Sequence, residues 1–298
     1  MDGVSGLEGW RWIFILEGIF TVLFGLFAFT VLPNTPSQVR TFRPEHVAQC
    51  ERRLHEDAAF PDAARINLKT VLSAFKSIHV LISCVVLFAS GTCLFGLAYF
   101  TPSIVQSLGY SPTRTQLMTV PPFACAFVVT MASSYLADRY AQRGISAICC
   151  NVLSLIGAAI TMRARTFSSR YAGLILLITG VYSSAPSLIS WIPNNSAGHV
   201  RRATAIAMGF VMTNSGGILS TWIYPRKDAP FYAVGAGVNL GMVCVMIVGC
   251  GVQMLWLFRK NAEKRDRPEE LLRSTEGKSE EEVWAELGDK HPRYRYTY

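Results

Sequence analysis

Long apolar runs alternate with polar connections along most of this chain. A helix needs about 20 largely apolar residues to cross the hydrocarbon core of a bilayer, and seven runs approach or exceed that length. They cover residues 12–32, 78–101, 115–136, 145–162, 171–192, 204–223 and 231–258. The pattern therefore predicts an all-α, polytopic membrane protein with about seven transmembrane helices.

The polar segments divide the chain into four parts. These are 1–33 with one span, a polar connection at 34–77, six closely connected spans in 78–258, and a charged tail at 259–298. Six closely connected spans can form a complete bundle, whereas one isolated span cannot. Within the connection, apolar residues follow Pro44 at helical spacing, which predicts an amphipathic surface helix there.

The charged residues are concentrated in two segments. The chain has 298 residues, 51% of them hydrophobic, with 28 Lys and Arg against 20 Asp and Glu, and a net charge of +8. Residues 34–76 and 259–298 together hold 32 of those 48 charged side chains. The remainder is too apolar for a soluble enzyme with one aqueous core, and equally unlike a disordered chain.

The basic residues indicate orientation in the membrane rather than nucleic-acid binding, because cytoplasmic loops carry an excess of Lys and Arg. Suppose that one side of the membrane is faced by the connection at 34–77, the turns at 137–144 and 197–203, and the tail. That side then holds 21 of the 28 Lys and Arg residues. This predicts a cytoplasmic tail and, with seven crossings, an external Met1. Equal numbers of acids and bases predict that the tail is solvated. One feature opposes this orientation, since three arginines crowd an external turn: Arg163, Arg165 and Arg170.

No residue pattern predicts catalysis or a cofactor. Seven of the eight cysteines fall inside apolar spans, where a thiol packs as a small hydrophobe. The five histidines show no metal-ligand spacing, and no nucleophile elbow, phosphate-binding loop or zinc-protease motif is present. We expect no enzyme activity, no cofactor, no metal and no nucleic-acid partner; the expected partners are the lipid bilayer and a small solute.

The first candidate site is the turn from Ala137 to Gly144, at the inner end of the third span. It holds one acid, Asp138, which either Arg139 or Arg143 could neutralise. A charge pair at the mouth of a helix bundle can hold neighbouring helices together and release them when they tilt. An ordinary basic cytoplasmic turn would have the same composition, so both interpretations stay open.

The second candidate is the polar stretch from Ser183 to Asn195 in the fifth span. Its two prolines, four serines and the residues Trp191, Asn194 and Asn195 are costly against lipid, which cannot satisfy polar groups. They are tolerable against a water-filled cavity, and interrupted helices of this kind mark substrate sites in transporters. A kinked helix used only for packing is the alternative.

Four further residues are candidates for a cavity or a proton site. Asn214 lies in the middle of a span, where it could line a cavity or hydrogen-bond to another helix. Tyr99 and Tyr182 are further candidates for the cavity wall. Glu17 is the only acid inside a span, which suggests a proton site, but it lies close enough to the outer boundary for a structural or interfacial role.

A seven-helix receptor is an alternative that the motifs oppose. Asp138-Arg139-Tyr140 stands at the inner end of the third span, as in G-protein-coupled receptors. However, the connection of about 45 residues between the first two spans is too long, no NPxxY follows in the last span, and no cysteine opens the third. A retinal protein is opposed by the lack of a lysine in the last span.

Several short motifs are distributed over almost the whole chain. They are Gly9-Trp10-Arg11-Trp12-Ile13-Phe14-Ile15-Leu16-Glu17-Gly18, Leu32-Pro33, Ala137-Asp138-Arg139, Arg143-Gly144, Asn194-Asn195-Ser196-Ala197-Gly198-His199, Arg201-Arg202-Ala203, Asn214-Ser215-Gly216-Gly217-Ile218, Ala229-Pro230-Phe231-Tyr232, Leu287-Gly288-Asp289 and Arg295-Tyr296. Together they resemble the anion:cation symporter branch of the major facilitator superfamily, which includes fungal allantoate and nicotinate permeases.

The resemblance implies proton-coupled uptake of a small organic anion by alternating access, at the cell surface or the vacuole. It implies a cytoplasmic gate at Asp138, Arg139 and Arg143. The family has twelve helices in two six-helix halves with both termini inside, and the first span here resembles the sixth. We therefore expect about five preceding helices to be missing, and we expect that the fragment alone does not transport. A half-transporter that binds a separate partner half is the other interpretation.

Overall fold

The computed structural model describes residues 4–39, 41–57, 68–106, 109, 111–164, 166–225, 228, 232–268, 283–284 and 287–298. Its α-helices are α1 Gly9–Val31, α2 Pro44–Asp57, α3 Leu68–Phe75, α4 Ile78–Gln106, α5 Pro112–Tyr140, α6 Arg143–Arg163, α7 Phe167–Asn194, α8 His199–Ser220 and α9 Ala233–Asp266. Each of the seven predicted spans forms a helix. The chain divides into two compact units, residues 1–59 and 60–298.

The first unit contains α1 and α2. The aromatic-rich first turn opens α1 at Gly9, and the helix ends at Val31, before Pro33, whose ring cannot continue it. The predicted surface helix in the connection is confirmed as α2. Every residue of α1 is exposed or half-exposed within its unit, so this helix relies on lipid or other protein to cover its apolar side chains.

Six helices in the described part of the chain are long and apolar enough to cross a membrane, namely α1, α4, α5, α6, α7 and α9. The predicted span at 204–223 begins earlier, at His199, and α8 does not reach the same apolarity. Its first turn carries Arg201 and Arg202, and its middle carries Asn214, which lower its hydropathy. The helices make this an integral, multi-pass membrane protein.

The second unit is a bundle of α4 to α9, in which α4 and α7 are the most enclosed helices. Glycines let the helices approach closely. A Cβ on Gly216 of α8 would lie 2.2 Å from the carbonyl oxygen of Phe88 in α4, and a Cβ on Gly180 of α7 would lie 2.4 Å from that of Cys150 in α6. Small residues drive such packing in lipid, where burial of apolar surface adds little.

Several helices continue through prolines, and a side chain of a neighbouring helix accommodates one of them. The sequence predicted that the second span ends before Pro102, but α4 continues through it to Gln106. In α5, Pro122 lacks the N–H that would bond the carbonyl of Met118. The hydroxyl of Tyr171 in α7 donates to that carbonyl at 2.8 Å, so the freed acceptor is satisfied across the helix interface.

Successive helices from α4 to α9 run in opposite directions. One end of the bundle therefore contains the starts of α4, α6 and α8 together with the ends of α5, α7 and α9. We call this the basic end because most of the cations of the described bundle cluster there: Lys76, Arg139, Arg143, Arg201, Arg202, Arg259, Lys260, Lys264 and Arg265. The opposite end carries Arg114, Arg163 and Arg170, while Arg165 lies outside the described residues.

Candidate functional site

The turn between α5 and α6 holds the predicted charge pair. The chain reverses at Ala141, whose φ of 51° is left-handed, and α6 begins two residues later. This geometry brings Nη2 of Arg143 to 2.9 Å from Oδ1 of Asp138. Arg139 instead donates to the hydroxyl of Tyr135 on its own helix at 3.2 Å. Of the two arginines that could neutralise Asp138, Arg143 is the one in contact.

Arg143 also reaches a third helix. Its Nη1 donates to the main-chain carbonyl of Ser190 in the last turn of α7 at 2.9 Å. Main-chain carbonyls near the end of a helix need hydrogen-bond donors from outside the helix. One guanidinium group therefore ties the end of α5 and the end of α7 to the start of α6, while the Asp138 side chain stays 68% exposed.

The polar stretch of α7 is a continuous helix that passes through Pro186. Ser183, Ser184 and Ser187 are buried, and the Ser183 hydroxyl lies 3.1 Å from that of Thr130 in α5. Pro186 faces outward. The contact of Ser183 with α5 fits the packing interpretation, while a cavity along this stretch stays a prediction.

The three mid-membrane candidates have different surroundings. Tyr182 donates to the carbonyl of Leu94 in α4 at 3.3 Å, so it joins two helices. Tyr99 is 60% exposed. Asn214 is exposed, and its amide donates to Phe210 within α8 at 2.8 Å rather than to another helix. These residues lie on three helices, and their assignment to a substrate cavity stays a prediction.

Trp191, Asn194 and Asn195 lie at the basic end, against the last residues of the chain. Nε1 of Trp191, which is 2% exposed, donates to the carbonyl of Thr297 at 2.9 Å. The amide of Asn195 donates to the same carbonyl at 3.0 Å and accepts from the Thr297 N–H at 2.8 Å. The main-chain carbonyl of Asn194 accepts from the hydroxyl of Tyr294 at 2.8 Å.

The prediction of a solvated tail is wrong for residues 287–298, which we call the docked tail. A second asparagine holds it from α9: the Asn261 amide donates to the carbonyl of Tyr296 and accepts from its N–H, both at 2.9 Å. Asn195 and Asn261 thus hydrogen-bond to the main chains of two consecutive residues, Thr297 and Tyr296. Residues 269–282 of the tail, including Glu280 to Glu282, lie outside the described residues.

Asp289 anchors the docked tail electrostatically. It is 2% exposed, and its carboxylate accepts from Arg201 of α8 and from the hydroxyl of Tyr296 at 3.1 Å. Lys264 of α9, 7% exposed, donates to the main-chain carbonyls of Asp289 at 2.5 Å and Tyr294 at 2.9 Å. Its Nζ also lies 3.8 Å from the centre of the Tyr296 ring, at cation–π distance.

Tyr294 and Tyr296 of the docked tail stay neutral. Burial raises the pKa of Tyr294 to about 12, with the nearby Asp289 carboxylate adding to the rise. The same two causes raise the pKa of Tyr296, whose hydroxyl donates to Asp289. Both hydroxyls therefore remain hydrogen-bond donors at neutral pH. Sequence reasoning missed this anchor, although the alternation Tyr294, Tyr296, Tyr298 is a strand-like signal that could have indicated a packed segment.

Glu17 belongs to the first unit and stays a prediction. It lies in the middle of α1 and is exposed within that unit. Its main-chain carbonyl accepts from the hydroxyl of Thr21, one turn later, at 2.7 Å. Both a proton site and an interfacial role are compatible with this position. Among the described residues, no group of three or more His, Cys, Asp or Glu side chains is placed to hold a metal ion.

The chain is similar to a known family over most of its length. The Major Facilitator Superfamily profile matches residues 3–221. A protein of Schizosaccharomyces pombe named as an uncharacterized transporter is 32% identical over 89% of this chain and 53% of its own length. The high-affinity nicotinic acid transporter of Saccharomyces cerevisiae is 28% identical over 99% of this chain and 55% of its own. An MFS-type transporter of Penicillium expansum is 25% identical over the whole chain and 60% of its own length.

The chain therefore spans about half the length of the curated relatives it matches. No solved structure matches it.

Proposed function

The chain belongs to the major facilitator superfamily, and we propose that it supplies one half of a proton-coupled transporter of a small organic anion. In this proposal α4 to α9 form the second six-helix bundle, and α1 is the sixth helix of the first. The substrate binds near the membrane midplane between the halves, and rocking of one half against the other exposes it to each side in turn.

The observation that carries the proposal is the position of Arg143. Its guanidinium joins Asp138 at the end of α5 and the Ser190 carbonyl at the end of α7, at 2.9 Å each. A charge network at one mouth of a bundle stabilises the closed arrangement of the helices and must rearrange when they separate. We therefore assign Asp138 and Arg143 to a gate. Arg139, which the sequence motif groups with them, bonds to Tyr135 on its own helix and is proposed to add charge at the edge of the gate.

The distribution of basic residues supports the orientation. Cytoplasmic loops carry the excess of Lys and Arg in membrane proteins, and the basic end holds most of the cations of the described bundle. We infer that the gate and the docked tail face the cytoplasm. The proposed membrane is the plasma membrane, with the vacuole as the alternative that localisation of a tagged chain would reveal.

The anionic substrate class rests on similarity. The Saccharomyces cerevisiae relative is named for nicotinic acid, a small carboxylate, and the sequence motifs resemble the same symporter branch. Tyr99, Tyr182 and Asn214 are the proposed cavity residues because each lies on a long helix of the bundle and is at least partly exposed. Glu17 is a candidate for the proton site, with an interfacial role as the competing interpretation.

Uptake of labelled nicotinate tests the proposal. The chain is expressed in yeast lacking its own nicotinic acid transporter, once alone and once joined to the part of the Saccharomyces cerevisiae relative that lies outside the matched region. We expect no uptake by the chain alone and carboxylate-competed uptake by the fusion, faster at acidic external pH. A fusion that reaches the cell surface but carries no small carboxylate would refute the substrate class. Uptake by the chain alone would refute the need for two halves.

A further inference from the structure

The basic end contains a cavity of about 410 Å³ that the transport proposal does not use. It is separate from the Asp138 gate and is formed by the turn after α3, the start of α4, the start of α8, the end of α9 and the docked tail. Its volume lies within the range of about 300–1,000 Å³ that is typical of small-molecule sites. We propose that this cavity binds a phosphate-bearing anion.

The charge of the wall supports an anionic ligand. Five cations line the cavity, Lys76, Arg201, Lys260, Lys264 and Lys290, against two carboxylates, Glu263 and Asp289. Arg201 is paired with Asp289, and Lys260 with Glu263 at 2.6 Å. The Lys264 ammonium contacts two main-chain carbonyls and a tyrosine ring. Because these groups are uncharged, they do not neutralise its positive charge. The wall therefore keeps a net positive charge after its ion pairs are formed.

His79 provides an independent indication of a ligand. It is the second residue of α4, it lines the cavity, and it is only 1% exposed. Neither ring nitrogen has a hydrogen-bond partner among the described residues, and Nδ1 lies 4.0 Å from the Asp289 carboxylate. Buried polar groups without partners are rare in folded proteins. A phosphate oxygen in the cavity would supply the missing partner.

The first turn of α4 adds to this binding potential. Ser77, Ile78 and His79 line the cavity where the helix begins. The leading N–H groups of a helix have no partners within it and carry a partial positive charge. Phosphate groups bind at such positions in many proteins, and α4, with 29 residues, is long.

The surroundings of the cavity favour a lipid headgroup over a free anion. On α3, which contributes Ser73 to the wall, the side chains of Leu68, Leu72 and Phe75 are each at least 50% exposed and lie on one helical face. An amphipathic helix of this kind lies in the membrane interface with its apolar face against acyl chains. Trp256, a residue type typical of that interface, forms another part of the wall.

Binding of two probes tests the proposal and distinguishes its two sources. The purified full chain is titrated in detergent with inositol trisphosphate, and in phosphatidylcholine nanodiscs with phosphatidylinositol bisphosphate added. Saturable binding of the lipid alone assigns the site to a headgroup, whereas binding of the soluble probe as well assigns it to phosphate esters in general. Both results support the site. Binding of neither probe would overturn it.

Variants show whether the bound probe occupies this cavity. Lys76 and Lys290 are exposed, so Lys76→Gln with Lys290→Gln should fold normally; each lysine near an anionic surface contributes about fivefold in affinity, so we expect a loss of about 25-fold. His79→Phe, which keeps a ring against Trp256, should also weaken binding. Arg259→Gln removes an exposed cation of the same end that is not part of the wall, and should bind like the parent chain. Equal binding by the double variant and Arg259→Gln would overturn the proposal.

Discussion

Asn195 and Thr297 are 102 residues apart in sequence and exchange two hydrogen bonds, at 2.8 and 3.0 Å. The side-chain amide of Asn195 pairs with both main-chain groups of Thr297, in the way that a neighbouring strand would. Asn261 does the same for Tyr296 from another helix. The end of the chain is therefore held between α7 and α9 by specific main-chain recognition.

Loss of the Asn195 amide should release the docked tail. In Asn195→Ala, the N–H and the carbonyl of Thr297 each lose one partner, and an unsatisfied buried polar group costs about 1–3 kcal/mol. We expect a lower thermal unfolding temperature in detergent and faster tryptic cleavage after Arg293 and Arg295. Asn194→Ala is the matched control, because only the main chain of Asn194 contacts the tail. Equal cleavage rates in the two variants would contradict the pairing.

Removal of the Asp289 charge should destabilise the bundle strongly. Asp289→Asn leaves Arg201, whose side chain is 12% exposed, without its anionic partner, and breaking a buried ion pair costs about 3–5 kcal/mol. Asp266→Asn is the control, because that carboxylate is 62% exposed and pairs with an exposed Arg265, which is worth about 0–1 kcal/mol. The measurement is the unfolding free energy in mixed micelles. Similar losses for both variants would show that Asp289 is not buried as described.

Substitution of Gly216 should separate α4 from α8. A Cβ at this position would lie 2.2 Å from a main-chain carbonyl of α4, which cannot move aside as a flexible side chain could. We expect Gly216→Ala to yield little monodisperse protein in fluorescence-detected size-exclusion chromatography. Gly237→Ala on α9, where nothing lies within 4 Å of the added Cβ, should elute like the parent chain. A normal elution profile for Gly216→Ala would be inconsistent with the close crossing.

Tyr171 and Pro122 should be energetically coupled. Tyr171→Phe removes the donor to the Met118 carbonyl that Pro122 leaves unpaired, and hydrogen bonds between membrane helices are worth about 0.6–2 kcal/mol. Pro122→Ala restores an N–H one turn from Met118, so the tyrosine substitution should cost less in that background. A double-mutant cycle of unfolding free energies measures the coupling. Strictly additive effects would mean that the hydroxyl does not replace the missing helix bond.

Hydropathy alone was sufficient to locate the helices of the bundle. Each predicted span forms a helix because lipid demands both apolar side chains and internally satisfied backbone groups. The boundaries were less accurate. Helix α4 continues through Pro102. Helix α8 begins at His199, and its charged first turn is tolerated because Arg201 pairs with Asp289.

The site was predicted less completely than the fold. A pairing of Asp138 with either Arg139 or Arg143 was predicted from the turn, and the structure shows the contact with Arg143. In contrast, the contacts of Trp191 and Asn195 with the tail required a partner about 100 residues away, and no local pattern specifies such a pairing. The tail was misjudged because its overall charge balance concealed a short aromatic segment with strand-like alternation.

Transport by gate variants tests the central claim, that this chain forms the gated half of a transporter. The variants are made in the fusion with the part of the Saccharomyces cerevisiae relative that lies outside the matched region. There, Arg143→Gln would remove both the Asp138 ion pair and the Ser190 hydrogen bond. Arg139→Gln would remove an exposed charge of the same turn, whose hydrogen bond is to Tyr135 within α5.

Initial rates of labelled nicotinate uptake, normalised to protein at the cell surface, provide the measurement. We predict that Arg143→Gln retains less than about a tenth of the parent rate, since loss of about 1.4 kcal/mol from a required state is tenfold, whereas Arg139→Gln retains most of it. Equal rates for the two variants, at equal surface expression, would contradict the account.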